Sequence, residues 1–238
     1  MSAPGGRHFH EELARLKGRL LEMSALAEEL VRAAVEALRE RDEAAAREVV
    51  ARDQQVDALE VEIDDLCIQL LALQQPMARD LRLITMAMKI SNDLERVGDH
   101  AVNIAQSAQR LIALDSPIAL DPEIEDMVRR SRKMLGDALD AFVRADGALG
   151  REVCRADDSV DALNNSVFRI LLTHMMADPR TITPSLELLL VARNLERVAD
   201  LATNIGEDAV FLAEGKTIKH HSEDLAGARP TSAAGRAT

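Results

Sequence analysis

The chain has 238 residues and a formal net charge of −12; 47% of its residues are apolar but only 2% aromatic, with neither Trp nor Tyr. That length buries a substantial core as one large or two small domains without covalent staples, and the abundance of Ala, Leu, Arg and Glu favours packed helices over sheets. The acidic balance excludes wrapping of duplex nucleic acid, which needs clustered Lys and Arg, and the lack of aromatics removes base stacking on single strands.

The opening Met1–Arg7 is small and Gly-containing and is read as loose. A first helix follows, with Leu13, Leu16, Leu20, Met23, Ala27, Leu30, Ala34 and Ala37 at alternating steps of three and four, and it ends near Arg39 to Arg41. Asp42 is the predicted N-cap of a second helix. Its seam is Val56, Leu59, Ile63, Leu66, Leu70 and Leu73, and it stops at Gln75-Pro76 because a residue before proline is forced out of the helical region. A third helix is predicted from Ala78 to Leu114, with the seam Leu83, Ala87, Ile90, Leu94, Val97, Ala101, Ile104, Ala108 and Leu111.

Residues 115–122 hold two prolines and two candidate caps and form the predicted linker. The second half then repeats the first. A fourth helix carries Ile124, Met127, Met134, Ala138 and Ala141. A fifth starts around Asp146, carries Val160, Leu163, Val167 and Ile170, and stops at Asp178-Pro179. A sixth, from Pro184, carries Leu188, Val191, Leu195, Val198, Ala202, Ile205, Ala209 and Leu212. The prediction is all-α: two tandem three-helix bundles of six long antiparallel helices, spanning 8–114 and 123–214, with a disordered tail over 215–238 where periodicity gives way to Gly, Ser, Thr, Ala and Pro.

The repeat also duplicates a phrase. Leu94-Glu95-Arg96-Val97-Gly98-Asp99 and Leu195-Glu196-Arg197-Val198-Ala199-Asp200 lie 101 residues apart, and each places Glu and Asp four apart on one helical face. On the preceding helices, Asp53 and Asp57 in the first half and Asp157 and Asp161 in the second form Asp-xxx-Asp pairs. Asp57 and Asp53 lie 18 and 22 residues before Gln75, and Glu95 and Asp99 lie 20 and 24 after it. With a constant rise per residue the four carboxylates reach one level of the bundle. Around Pro179 the intervals are 18 and 22 back to Asp161 and Asp157, and 17 and 21 forward to Glu196 and Asp200. Carboxylates held side by side repel unless a proton or cation sits among them. Four oxygen donors without His or Cys form a hard site suited to Mg²⁺, Mn²⁺, Ca²⁺ or iron, with zinc less favoured by ligand type. Their heptad positions flank the apolar seam, so the sites should be shallow and open to water.

Other residues carry simpler readings. Arg96 and Arg197 read as surface ion-pair partners, His174 as a packed core histidine, His100 beside Asp99 as a candidate extra ligand, and the methionines as gap fillers. Gly215-Lys216-Thr217 is rejected as a phosphate loop, since Val210 stands where the upstream glycine is needed and no strand precedes it. Cys67 and Cys154 occupy non-equivalent places without a CxxC spacing; neither a disulfide framework nor a zinc knuckle is suggested, and a reducing cytoplasm fits. No apolar run approaches the roughly 18 residues that span a bilayer, and residues 1–12 carry His8, His10, Glu11 and Glu12 where a signal peptide needs an apolar stretch. Membrane contact is expected only peripherally, through partners.

These motifs, with Pro76-Met77-Ala78-Arg79-Asp80-Leu81-Arg82, Met175-Met176-Ala177-Asp178-Pro179-Arg180-Thr181-Ile182 and Ala192-Arg193-Asn194, make a chain that resembles the PhoU family of phosphate-specific transport system accessory proteins over nearly its whole length except the tail. The resemblance implies two three-helix bundles whose acidic motifs hold multinuclear metal clusters, and a cytoplasmic regulator without catalysis. It implies negative regulation of phosphate uptake and of the phosphate-starvation response, by linking the ATPase subunit of the high-affinity phosphate ABC transporter to a sensor histidine kinase. Carried over residue by residue, the metal motifs are Glu95/Asp99 and Glu196/Asp200, with Asp53/Asp57 and Asp157/Asp161 facing them; the ions could be iron, manganese, magnesium or zinc. Exposed helical seams suggest a homodimer. Ala199 departs from the family's glycine, and the His-containing tail beyond Lys216 has no counterpart. The rival reading is a carboxylate-bridged metalloenzyme of phosphohydrolase type; its di-iron form fails because no histidine has Glu three residues before it.

Overall fold

The computed structural model describes residues 4–114 and 120–218. The predicted linker, apart from its last three residues, and the predicted tail beyond residue 218 lie outside them. Six α-helices follow in order: α1 Pro4–Glu40, α2 Glu43–Gln74, α3 Ala78–Ala113, α4 Pro122–Arg144, α5 Gly147–Ala177 and α6 Ile182–Glu214, with a single 3-10 turn, Pro179–Thr181, before α6. There is no strand among the described residues, and none of these helices is long and apolar enough to cross a membrane.

Local chemistry sets the boundaries. The carboxylate of Asp42 accepts from the amide of Ala45 at 3.0 Å, that of Asp121 from Glu123 at 3.1 Å, and that of Asp146 from Ala148 and Leu149 at 3.0 and 3.1 Å. Each satisfies amides that the first turn of a helix leaves without partners. α2 ends at Gln75, which takes the left-handed conformation (φ 45°, ψ 55°) before Pro76. α6 ends on Gly215 at φ 70°, the usual glycine stop. α1 begins at Pro4 rather than after Arg7, since the fixed φ of proline suits the first helical position. α4 likewise opens on Pro122, and α6 starts two residues before Pro184 because the 3-10 turn, held by Thr181 Oγ1 donating to the His174 carbonyl at 2.9 Å, already winds the chain.

Nearly every predicted seam residue is buried. Leu73 is a correction: it is 75% exposed, because it lies in the last turn of α2 at the hairpin tip, beyond the reach of neighbouring helices. His174 is another. It is exposed in the last turn of α5, where the core stripe ends at Leu171. Met77 and Met176, at the two hairpin tips, fill no gap and are both 80% exposed.

α1, α2 and α3 pack as one bundle and α4, α5 and α6 as the other, with α3 against α6 and α1 against α4 at the joint. One continuous apolar core runs through both. His100 on α3 meets Asn194 on α6, and Arg110 meets Glu187, so α3 and α6 run antiparallel. Lys17 on α1 donates to the carbonyl of Val143 near the end of α4 at 2.9 Å. Burial, and then the charge of Arg79, lower the pKa of that ammonium.

The antiparallel joint sends the two hairpin tips to opposite ends, and they differ. Phe168, Leu172 and Met176 on α5, and Ile182, Leu186 and Leu190 on α6, lie 3, 7 and 11 residues either side of Pro179, and all are exposed. The matching places in the first bundle hold Asp64, Ile68, Ala72, Leu81, Thr85 and Lys89.

α5 and α6 approach closely at two glycines. A β-carbon on Gly150 would lie 2.6 Å from the Gly206 carbonyl oxygen, and one on Gly206 would lie 3.0 Å from that of Gly150, whereas one on Gly18 of α1 would meet nothing within 4 Å. Gly150→Val is therefore expected to destabilise the fold by about 1–3 kcal/mol through overpacking. Gly18→Ala should stabilise it by roughly 0.5–1 kcal/mol. Urea unfolding of the two variants beside the parent checks both signs.

Candidate metal sites

The two acidic motifs of each half meet along the line where α2 lies against α3 and where α5 lies against α6. In the first groove burial, then the charges of Asp57 and Asp99, push the Asp53 carboxyl up to about 6. Glu95 is raised as well, by burial and then by Asp99, Glu60, Asp57 and Asp53. In the second, burial, then Asp161, Asp200, Asp158 and Glu196, push Asp157 up to about 6. Burial and Asp200 raise Glu196 in the same way. Each set of four thus shares one groove at one level and feels its own repulsion.

The sites are shallow. Asp57, Asp99 and Asp161 are exposed, while Asp53, Glu95, Asp157, Glu196 and Asp200 are partly covered. Among the described residues no three carboxylate, thiol or imidazole groups converge on a common point; like charges stand apart. One feature nevertheless suits a cation. The Oδ1 atoms of Asp53 and Asp157, at equivalent positions of the repeat, are both buried without a hydrogen-bond partner. A buried acceptor left unpaired costs free energy, and with three more carboxylates beside it the donor set fits a hard metal ion.

Gly98 gains a reason here. A β-carbon at this position would stand 2.5 Å from Asp53 Oδ1, so only glycine leaves the carboxylate its seat. The second motif has the fully buried Ala199 at the equivalent position of the repeat, so no such notch exists there.

The arginines differ between the grooves. Arg96 pairs with Asp93 at 3.5 Å, outside the first set, whereas Arg197 donates to Asp200 at 2.8 Å and lies 3.9 Å from Glu196. Both are surface ion pairs, as their positions predict. His100 does not join the first groove: its Nδ1 lies 2.9 Å from the side-chain oxygen of Asn194 across the joint, and burial lowers its pKa. The neighbour in sequence of a groove residue points roughly a quarter-turn away on a helix, here toward α6. Gly215 to Thr217 simply follow the end of α6.

Sequence reading missed several residues that belong to these grooves. Glu60, three after Asp57, adds a further carboxylate beside Glu95. In the second groove Cys154 stands three residues before Asp157 and Thr203 three after Asp200; Cys154 Sγ is 3.8 Å from the Thr203 carbonyl, and Thr203 Oγ1 is buried without a partner. Burial, then Glu207 and Asp157, push the Cys154 thiol up to about 11. Helical steps of three from the acidic motifs were the available signal.

A family model described as the PhoU domain matches residues 20–108 and 124–209, one match per bundle. A phosphate-specific transport system accessory protein PhoU homolog from Caulobacter vibrioides is 42% identical over 224 residues, covering 94% of each chain. One of the same description from Aquifex aeolicus is 40% identical over 210 residues, 88% of this chain and 95% of that one. The crystal structure of PhoU from Pseudomonas aeruginosa superposes with a TM-score of 0.83 at 38% identity, covering 87% of this chain and all of that one. The phosphate transport system regulatory protein PhoU from Streptococcus pneumoniae does so at 0.81 and 27% identity, covering 89% of this chain and 99% of that one.

The raised carboxyls give the metal-free protein a defined pH response. A carboxyl with a folded pKa near 6 and an unfolded value near 3.8 binds more protons folded than unfolded between those limits, so stability falls as pH rises through that window. Asp53→Asn with Asp157→Asn is expected to raise the melting temperature of chelator-treated protein at pH 7 and to bring little gain at pH 4. Calorimetry at the two pH values checks this; equal gains at both would contradict the assignment.

Proposed function

From a chain that belongs to the PhoU family, we propose a metal-binding regulatory adaptor of phosphate homeostasis that restrains phosphate uptake and the phosphate-starvation response. The observation that carries this reading is the pair of acidic grooves, each with an unpartnered buried aspartate oxygen at the same place in the repeat. The relatives' description as phosphate-specific transport system accessory proteins supports the setting. Both that description and the regulatory one of the Streptococcus pneumoniae protein fit a role without catalysis.

Asp53, Asp57, Glu95 and Asp99 would hold metal in the first groove, and Asp157, Asp161, Glu196 and Asp200 in the second. Bound ions, single or multinuclear, of iron, manganese, magnesium or zinc supply positive charge that offsets the carboxylate repulsion. An ion would compete with the fraction of protons that the raised pKa values keep on Asp53 and Asp157, and with the Arg197–Asp200 ion pair. Loading therefore changes the charge of both outer faces of the molecule, the faces available to partners. The partners in this reading are the ATPase subunit of the phosphate ABC transporter and the sensor histidine kinase of the phosphate response, engaged from the cytoplasm by a homodimer whose affinity follows phosphate status. The kinase arm is supported by family resemblance alone.

Elemental analysis of protein purified from its native cells tests the metal, beside Glu95→Ala, Glu196→Ala and the double variant. Each single change is expected to remove the metal of its own groove, and the double change to remove nearly all of it and to switch on a phosphate-starvation reporter in phosphate-rich medium. Unchanged metal content and a silent reporter in the double variant would overturn the proposal. Turnover of phosphoesters by metal-loaded protein, lost in the double variant, would favour the phosphohydrolase reading.

A further inference from the structure

We infer that the two grooves are chemically unequal: the second offers a mixed oxygen and sulfur donor set, in which the Cys154 thiol and the Thr203 hydroxyl extend the four carboxylates and favour a transition metal over Mg²⁺ or Ca²⁺. The inference rests on the metal-binding reading of the grooves given above.

Position comes first. Cys154 continues the α5 stripe of Asp157 and Asp161 by one turn, and Thr203 continues the α6 stripe of Glu196 and Asp200 by one turn in the antiparallel partner helix. The two extensions therefore meet, and the 3.8 Å contact of Cys154 Sγ with the Thr203 carbonyl shows that they do. At this end of the groove two buried oxygens, Asp157 Oδ1 and Thr203 Oγ1, lack any hydrogen-bond partner. Asp157 and Glu207 stand close enough to act electrostatically on the thiol.

The first groove offers nothing comparable. Its repeat-equivalent positions to Cys154 and Thr203 are Val50 and Val102, which carry no donor atom. Its Asp53 carboxylate is seated on Gly98, whereas the repeat-equivalent residue of the second groove is the buried Ala199, which leaves no glycine notch beside Asp157. A set of carboxylates alone suits hard cations, and a thiolate shifts preference toward softer ones such as Zn²⁺, Co²⁺ or Fe²⁺. On ligation the S–H bond of Cys154 breaks, a sulfur–metal bond forms and the proton leaves to water, with no change of oxidation state.

Co²⁺ is a suitable probe of the full-length protein. In Glu95→Ala, where the first groove is disabled, it is expected to produce a thiolate-to-cobalt charge-transfer band in the near ultraviolet. That band should be missing in Glu196→Ala and in Cys154→Ser. In wild-type protein Co²⁺ should slow alkylation of Cys154 by iodoacetamide on the order of tenfold or more while Mg²⁺ does not; Cys67, fully buried, is the internal reference. Thr203→Val is expected to weaken Co²⁺ binding at the second groove by roughly tenfold and leave the first unchanged. If calorimetry shows Co²⁺ in both grooves but no band forms and alkylation is unprotected, the inequality is overturned and the metal reading stands. If Co²⁺ and the other divalent ions bind to neither groove, the metal reading falls and takes this inference with it. The alkylation measurement needs no variant, so a misfolded Cys154→Ser would not leave the matter open.

Discussion

Everything in this molecule is arranged around the burial of α3 and α6 against each other. Each of the two helices must satisfy its own bundle and the opposite one, which is why α3 buries one long stripe, Leu83, Ala87, Ile90, Leu94, Val97, Ala101 and Ala108, while His100 and Arg110 beside it reach across the joint to α6. Small residues let the backbones approach, and the dispersion attraction between them, slight for any one pair of atoms, is large in sum. Beside the His100–Asn194 and Arg110–Glu187 pairs at the joint, the polar residues of α3 gather on the edge toward α2, and those of α6 on the edge toward α5. The carboxylates occupy those edges, which are both rigidly held and in reach of water.

Rigid placement makes the carboxylates consequential. On a loop, four like charges would move apart; on two packed helices they are held at one level, and burial first, then their mutual repulsion, raises the pKa values of Asp53 and Asp157. Protons are the ready counter-charge, and a metal ion would be a stronger one. The two halves do not solve the problem identically. Arg197 already neutralises part of the second groove, whereas Arg96, its counterpart in the first, turns to Asp93 instead.

Much of this was legible in the sequence. The seams of α1, α3, α4 and α6 are buried residue for residue as their spacing indicates, and counting from Gln75 and Pro179 brought each carboxylate set to one level. Periodicity fails where a helix outruns its neighbours: Leu73 and His174 keep the phase of the seam but have nothing left to pack on. It fails also for contacts across the joint, since the pairing of His100 with Asn194 depends on the register of two bundles that no local pattern encodes. The significance of Gly98 lay outside the motif itself, in an aspartate carboxylate from another helix that takes up the space of the missing side chain.

The unequal hairpin tips bear on how the molecule behaves among copies of itself. Six large apolar side chains stand exposed at one end of a body whose formal net charge is −12. Long-range repulsion and short-range adhesion therefore oppose each other, and the balance is set by the solvent. At 0.1 M ionic strength repulsion reaches about 10 Å from the surface, at 1 M only about 3 Å, less than the breadth of a leucine rung. As a colloid the protein is graded from end to end: salt strips its protection everywhere, and the α5–α6 tip, with its paired rungs of six apolar side chains, has more adhesive surface to reveal than the α2–α3 tip, where Ile68, Leu73, Met77 and Leu81 are exposed.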